Sequence, residues 1–231
     1  MRTHIDDQTS SLDSIYSDIK SLSEKLDHSH RQHRKIQFFL DIRGYLVMNR
    51  PRGDYVEYGL YRGEMMLGAY HVLGHLELID KYVGFDNFSG EPEMTETEAS
   101  RLPFIQAGDY CANEIETRSY LGSVIGNNNL IIASGDFRKH SHRNADYYRD
   151  VAVGVVDCNL ESSIRAALET LLPRMISGGA LFLDDYFLNI TEHGPWHEFL
   201  LDELTLKYGV RLVEFGNYPP CAKAFLVFKT R

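Results

Sequence analysis

The chain has 231 residues, a formal net charge of −9 and 43% hydrophobic residues, which suits one α/β domain with a modest extension. No block of Lys or Arg offsets the negative charge, so we expect neither a nucleic-acid backbone nor an anionic membrane as the main partner. We expect no signal peptide because the N-terminus is polar, and no apolar run approaches the roughly 20 residues of a membrane span.

The three cysteines, Cys111, Cys158 and Cys221, are odd in number and lack C-x-x-C spacing. This pattern argues against a disulfide framework or a zinc site and favours a reducing compartment, so we expect a cytoplasmic protein. Cys158 and Cys221 lie near the ends of predicted strands, where we interpret them as small core residues.

Residues 1–50 are predicted to form a helical extension. An amphipathic helix is predicted from apolar residues that recur at 3-4-3-4 spacing, namely Leu12, Ile15, Ile19, Leu22 and Leu26. This stripe either packs on the chain's own domain or forms a dimer seam, and we expect a homo-oligomer. A second helix is predicted over residues 36–48, ahead of Pro51-Arg-Gly53. A small basic cluster is interpreted as a solvated helix face: Arg31, Arg34 and Lys35.

Residues 51–231 are predicted to form one domain in which strands and helices alternate. Strands are predicted over residues 55–58, 81–86, 130–133, 151–156, 179–183, 210–215 and 224–228. Helices are predicted over 62–75, 110–124, 162–175 and 195–207, with a long loop over 87–108 and one or two helical turns over 144–149. Such alternation predicts a mostly parallel sheet with helices on both faces. The last two strands have no helix between them, which predicts an antiparallel hairpin.

The first strand ends at Glu57-Tyr58-Gly59, and Gly63 follows where the next helix begins. Glycines at a strand-to-helix turn let a ligand approach the backbone. A nicotinamide dinucleotide site would need G-x-G-x-x-G here, whereas Glu57 would repel a pyrophosphate and suit a cationic group. A methionyl ammonium or a sulfonium fits this requirement, and a dehydrogenase is disfavoured.

The second strand ends in Asp86, followed by Asn87 and Phe88. An acidic residue at this position hydrogen-bonds ribose hydroxyls in dinucleotide-binding folds, although it can also be a helix or turn cap. The third strand is followed by Gly135, Asp136 and Phe137. By the same logic this turn would flank an adenine, with an Asx-type turn as the equal alternative.

The fourth and fifth predicted strands end in acidic residues. Asp157 follows the fourth strand together with Asn159, and Asp184-Asp185 follow the fifth. Carboxylates that converge at one sheet edge repel each other unless a cation joins them, and hard oxygen ligands suit Mg²⁺. The alternative is a set of strand-end caps plus one general base.

Four histidines lie in or near loops at the predicted active edge, where any could act as a general base or simply be a surface residue: His140, His142, His193 and His197. Trp196 either lines an acceptor pocket or packs in the core.

Together these motifs resemble a known family. The run Tyr55-Val-Glu-Tyr-Gly-Leu-Tyr-Arg-Gly63 resembles the "hVEhGhhrG" opening (h, apolar) of macrocin-type (TylF) O-methyltransferases. Val83-Gly-Phe-Asp-Asn-Phe-Ser-Gly90 resembles their "GFDTFEGhP" segment. Asp157-Cys-Asn-Leu-Glu-Ser-Ser163 is similar to "DxDLYxS", and the segment from Leu172 to Asp184-Asp-Tyr186 is similar to "hxPrLxpGGhhhhDDY". The resemblance covers about residues 54–230.

The resemblance implies a class I methyltransferase (Rossmann-like) fold, a seven-stranded mostly parallel sheet with an antiparallel last strand. It implies S-adenosylmethionine as methyl donor, hydroxyls of sugars, glycoconjugates or natural products as acceptors, and Mg²⁺ on Asp157, Asp184 and Asp185. Two residues depart from the family pattern. Asn159 replaces its second Asp, and Glu161 replaces its Tyr.

The sequence therefore predicts a Mg²⁺-assisted O-methyltransferase. Its expected cofactor contacts are Glu57, Tyr58, Gly59, Gly63, Asp86, Asn87, Phe88, Gly135, Asp136, Phe137 and Asp157. Asp157, His140 and His193 are the candidate catalytic residues. A metal-independent N- or O-methyltransferase with a His base and a non-catalytic cofactor-binding scaffold are the alternatives.

Overall fold

The computed structural model describes residues 3–139, 146–188, 190–192 and 194–230; within residues 3–27 it describes the side chains of Ser17, Leu22 and Lys25. The α-helices in these ranges are α1 Thr3–Asn49, α2 Glu64–Leu73, α3 Glu96–Arg101, α4 Glu114–Ile125, α5 Glu161–Leu171 and α6 Trp196–Tyr208. Short 3₁₀ turns follow α2 and α5, at Gly74–Leu76 and Leu172–Arg174.

The strands are β1 Gly53–Tyr58, β2 Ile79–Asp86, β3 Leu130–Ser134, β4 Val151–Val156, β5 Met175–Leu183, β6 Ile190–Thr191, β7 Gly194–Pro195, β8 Val210–Tyr218 and β9 Ala222–Lys229. Seven of them form one sheet in the order β3-β2-β1-β4-β5-β9-β8, and β6 pairs with β7. Strands β1 to β5 pair in parallel, whereas β9 runs antiparallel to both β5 and β8. The predicted fold class and the closing hairpin are confirmed.

The centre of the sheet is buried on both faces. Every residue of β1 and β4 is buried, as expected for central parallel strands covered by helices on both faces. One face packs against α1, α2 and α4, and the other against α5 and α6. None of the helices in the described ranges is long and apolar enough to cross a membrane.

Helix α1 corrects the prediction of two separate N-terminal helices. It runs unbroken from Thr3 to Asn49, because residues 27–35 contain neither Gly nor Pro to interrupt it. Its C-terminal part packs on the sheet through buried Phe38, Phe39, Ile42 and Leu46. Nearer the N-terminus, Leu22 is 57% exposed, so this member of the apolar stripe does not pack on the chain's own domain.

The segment between β2 and α4 contains α3 and is not the uninterrupted loop predicted over 87–108. A capping box starts this helix, since Thr95 accepts from the Glu98 N–H while Glu98 accepts from the Thr95 N–H. The same Glu98 accepts a 2.9 Å hydrogen bond from the Ser162 N–H. Arg101 also forms an ion pair with Glu161, so α3 is tied to the start of α5.

Two smaller predictions fall partly outside the described residues or need correction. Helical turns were expected over 144–149, but 144 and 145 are not described and 146–149 form only a turn and bends. Of the cysteines, Cys158 is buried as expected, whereas Cys221 is only partly buried in the turn between β8 and β9.

Candidate functional site

A cavity of about 300 Å³ opens at the carboxyl ends of β1, β2 and β4. The register of the strands places the cavity at this edge, because Tyr58 of β1 pairs with Phe85 of β2 and with Val156 of β4. The residues that follow those partners, Asp86 and Asp157, therefore reach the same edge. Both line the cavity together with Glu57, at the edge where open α/β sheets bind their ligands.

Glu57 is a buried carboxylate in the wall of this cavity, only 1% exposed. It accepts a 2.6 Å hydrogen bond from the Tyr55 hydroxyl, since residues two apart on a strand point to the same face. Burial raises the pKa of Glu57 well above its ordinary value. A cationic ligand group would favour the ionised form.

Asp86 both shapes the loops and faces the cavity. One carboxylate oxygen accepts from the Tyr61 N–H and the other from the Phe88 N–H, each at 2.7 Å. The turn-cap alternative is therefore present, and it holds Asp86 at the cavity wall. Burial raises the pKa of Asp86, although these backbone hydrogen bonds act in the opposite direction.

The turn after β3 brings Asp136 and Phe137 to the cavity. Asp136 Oδ1 accepts from the Arg138 N–H at 3.1 Å, which forms the Asx-type turn that the sequence offered as the alternative. Its carboxylate also accepts hydrogen bonds from the Arg138 guanidinium, and this contact holds the pKa of Asp136 below its usual range.

The three acidic residues after β4 and β5 converge as predicted. The Asp184 N–H donates to the Val156 carbonyl at 3.0 Å, which places Asp184 beside Asp157. Carboxylate oxygens of Asp157, Asp184 and Asp185 all lie within 4.8 Å of one another. We call these three residues the acidic triad.

Helix α1 adds two cations to the triad, which the sequence interpretation missed. Lys35 Nζ lies 2.5 Å from Asp157 Oδ2 and 2.9 Å from Asp184 Oδ2. Arg31 Nη2 lies 3.5 Å from Asp184 Oδ2. Lys35 is 6% exposed, so the interpretation of this cluster as a solvated face is wrong for Lys35. Arg34 is exposed, as expected.

The triad's electrostatics follow from these contacts. Burial and the neighbouring Asp184 raise the pKa of Asp157 to about 7, although Lys35 opposes them. Burial also disfavours ionisation of Asp184, but Lys35 and Arg31 outweigh it and hold its pKa below the ordinary value. Burial, with Asp184 and Asp157 nearby, raises the pKa of Asp185 well above its usual range.

Not every predicted cofactor contact has a side chain at the cavity. Tyr58 packs in the core, stacked on Phe85 with its hydroxyl 2.9 Å from both Tyr148 and Thr170 hydroxyls. Four predicted contacts lie next to lining residues without lining the cavity themselves: Tyr58, Gly63, Phe88 and Gly135. Asn87 does line it, as does Gly59.

The histidine predictions have mixed outcomes. His140, His142 and His193 lie outside the described residues. His197 is buried in the first turn of α6, away from the cavity lining, and burial lowers its pKa to about 4. Trp196 packs edge-on against His197 and does not line the cavity.

The two departures from the resembled motif have partners in the structure. The Asn159 amide donates to Glu91 at 2.5 Å, whereas an Asp there would repel that carboxylate. Glu161 pairs with Arg101. Both contacts join the segment between β2 and α4 to the residues that follow β4.

Comparison with known proteins establishes the fold class. The chain matches no protein-family model and no curated protein. Its fold is the class I methyltransferase (Rossmann-like) fold. The solved O-methyltransferase NovP is similar, with a TM-score of 0.64 and 21% identity over 87% of this chain and 80% of that one.

CalS11, described as a calicheamicin methyltransferase, is also similar, with a TM-score of 0.62 and 18% identity over 98% of this chain and 93% of that one. Its apo structure, described as a TDP-rhamnose 3′-O-methyltransferase, gives a TM-score of 0.54 and 19% identity over 83% of this chain and 78% of that one. At these identities the likeness establishes the fold. The finer resemblance to the macrocin-type family stays a prediction.

Proposed function

We propose that this protein is an S-adenosylmethionine-dependent O-methyltransferase. The observation that carries the proposal is the pair of carboxylates, Glu57 and Asp86, which lie at the carboxyl-terminal ends of neighbouring strands and line one cavity. Glu57 would face the ammonium or sulfonium of the donor, and Asp86 would accept hydrogen bonds from its ribose. This pair suits a cationic donor that carries ribose and disfavours a pyrophosphate, which would be repelled by Glu57.

The remaining cofactor contacts are proposed from their positions around the same cavity. Gly59 would let the donor approach the backbone at the end of β1. Phe137 would present an apolar ring beside the adenine. Asp136 would share its carboxylate between the adenine amine and Arg138, to which it is already hydrogen-bonded.

The donor would supply an electrophilic methyl group, which bonds to the acceptor oxygen as the C–S bond breaks and a neutral thioether leaves. The protein's tasks are therefore to align the hydroxyl with the methyl group and to take up the hydroxyl proton. We propose Asp157 for the second task because its carboxylate lines the cavity in which the donor would bind. His140 and His193 are the other candidate bases.

The donor set of the acidic triad fits Mg²⁺. Three carboxylates converge, and hard carboxylate oxygens are the ligands that Mg²⁺ prefers. We propose that Asp157, Asp184 and Asp185 hold the ion. When bound there, it would lower the pKa of the acceptor hydroxyl and help to orient it.

The acceptor is proposed to be a hydroxyl of a sugar, glycoconjugate or natural product. The similarity to NovP and to CalS11, whose apo structure is described as a sugar O-methyltransferase, supports this class. We also propose that residues 1–50 form a helical extension to a methyltransferase domain at 51–231, and that the protein is a homo-oligomer.

A metal-independent methyltransferase is the second candidate, and Lys35 is the observation that favours it. Its ammonium already bridges Asp157 and Asp184, so the triad holds a cation without any metal. Activity that persists in excess EDTA would support this candidate over the Mg²⁺-assisted one.

Transfer of a labelled methyl group from S-adenosylmethionine to a panel of hydroxyl acceptors tests the proposal. Asp157→Ala should lower transfer at least about 100-fold, in keeping with loss of a proton acceptor and a metal ligand, while S-adenosylhomocysteine still binds. Asp202→Ala, which removes an exposed carboxylate on α6, should behave as wild type. Wild-type turnover in Asp157→Ala would contradict the role of Asp157, and cofactor binding without transfer to any acceptor would favour a scaffold.

A further inference from the structure

Helix α1 delivers a lysine ammonium into the acidic triad. We propose that Lys35 is the resident counter-cation of the triad and that it competes with a divalent ion for the same carboxylate oxygens. The inference deepens the proposed function, because it concerns how that site would control metal binding. Lys35 would act as a positioning residue through Asp157 and Asp184.

The geometry places the ammonium where a shared cation would sit. Lys35 Nζ contacts Asp157 Oδ2 at 2.5 Å and Asp184 Oδ2 at 2.9 Å. The Lys35 side chain is 8% exposed, and that of Asp184 is also 8% exposed. Bulk water therefore screens this interaction much less than it screens a surface ion pair.

A metal ion bound to these two oxygens would lie next to the ammonium that already contacts both of them. Mg²⁺ binds oxygen at about 2.0–2.1 Å, so the ion and Nζ would lie side by side on the same pair of carboxylates. Two cations in contact repel strongly where the surroundings are poorly solvated. We therefore expect the ammonium to move away from at least one carboxylate when the ion occupies the triad.

The charge balance leads to the same conclusion. The triad carries up to three negative charges, and Lys35 with Arg31 supplies two positive charges next to it. A divalent ion added without any displacement would bring the positive charges to four. Release of Lys35 lowers that excess, so ion binding and ammonium release are expected to be coupled.

Lys35 has room to leave without any movement of the helix backbone. It lines the cavity at the carboxyl ends of β1, β2 and β4 on one side and a smaller cavity beside Asp184 on the other. Phe38, Phe39 and Ile42 anchor the next turns of α1 in the core. The flexible four-carbon stem of lysine can move its charge away from the triad while the helix stays docked.

Calorimetric titration with Mn²⁺ at pH 8 tests the competition directly. Lys35→Met should bind the ion at least about 10-fold more tightly than wild type, which corresponds to about 1.4 kcal/mol. Arg34→Met is the matched control, because it removes one positive charge from an exposed neighbouring position. Its affinity should stay within about 2-fold of wild type. Lys35→Arg, which keeps the charge, should bind no more tightly than wild type.

Equal or weaker Mn²⁺ binding by Lys35→Met would overturn the inference and leave the proposed methyl transfer untouched. If neither wild type nor Lys35→Met binds Mn²⁺, the inference and the metal-assisted part of the proposed function both fail. S-adenosylhomocysteine binding still decides separately whether the protein uses that cofactor.

A measurement on the wild type keeps the inference falsifiable if Lys35→Met does not fold. Amine acylation followed by mass spectrometry should label Lys35 slowly in the metal-free protein and several-fold faster in saturating Mg²⁺. Lys25, which is exposed on the same helix, should be labelled equally with and without the ion. Unchanged or slower labelling of Lys35 in Mg²⁺ would overturn the inference.

Discussion

Gly59 lies where β1 ends at the cavity, and a single added methyl group there should disturb both folding and cofactor binding. Its φ of +87° lies in the left-handed region that favours glycine. A Cβ at this position would lie 1.9 Å from the Asp157 carbonyl oxygen. That oxygen belongs to the backbone, so the clash is relieved only if the ends of β1 and β4 move apart.

Gly126 provides the matched control for Gly59→Ala. Its φ is +89°, but a Cβ there would meet no heavy atom within 4 Å. Its ψ of 133° places it outside the conformations that L-residues favour, so Gly126→Ala should cost only the backbone strain, about 1–3 kcal/mol of unfolding free energy. Gly59→Ala should cost this amount plus about 1–3 kcal/mol for steric overpacking.

Urea denaturation of both variants, followed by circular dichroism, measures the difference. Because Gly59 lines the cavity beside Asp157, Gly59→Ala should also weaken S-adenosylhomocysteine binding, whereas Gly126→Ala should not. Equal destabilisation by the two substitutions would refute the close approach of β1 to β4 on which this reasoning depends.

Three further predictions concern single side chains. Glu57→Gln should weaken S-adenosylmethionine binding at least about 10-fold. The affinity of the wild-type protein for S-adenosylmethionine should rise with pH, because the pKa of Glu57 is raised and a bound cation favours the ionised form of this carboxylate. Titrations in buffers of different ionisation enthalpy should show proton release on binding. Asp86→Asn should weaken binding similarly, since the amide nitrogen accepts no hydrogen bond from ribose. His197→Phe should make stability less sensitive to acid. The pKa of His197 falls from 6.5 to about 4 on folding, so the wild-type protein should lose about 3 kcal/mol of unfolding free energy as the pH falls from 6.5 through 4.

Each of these predictions has a result that contradicts it. Wild-type affinity in Glu57→Gln would remove the argument for a cationic donor, and unchanged binding by Asp86→Asn would remove the ribose contact. If His197→Phe loses as much stability in acid as wild type, the acid sensitivity arises elsewhere in the protein.

The sequence predicts the core of this structure well because local pattern and topology agree there. The short segments 55–58 and 151–156 are predicted as strands because helices alternate with them, and parallel strands then end at one edge. This rule alone brings Asp86, Asp157 and Asp184 to the same edge of the sheet, where the parallel strands end.

The remaining features depend on contacts distant in sequence or on short local motifs. Lys35 meets Asp157 across 122 residues, and no local periodicity encodes such a pair. Helix α3, by contrast, has a readable start in Thr95-Glu-Thr-Glu98, which is the spacing of a capping box. The continuity of α1 was also readable, because residues 27–35 lack any helix breaker.

Calorimetric titration of S-adenosylhomocysteine and of NAD⁺ into the wild-type protein tests the central claim most directly. We predict that S-adenosylhomocysteine binds at one site per chain, that Glu57→Gln and Asp86→Asn both weaken this binding, and that NAD⁺ gives no binding heat. Binding of NAD⁺ without binding of S-adenosylhomocysteine, or S-adenosylhomocysteine binding unaffected by both substitutions, would contradict the assignment of this cavity to a methyl donor.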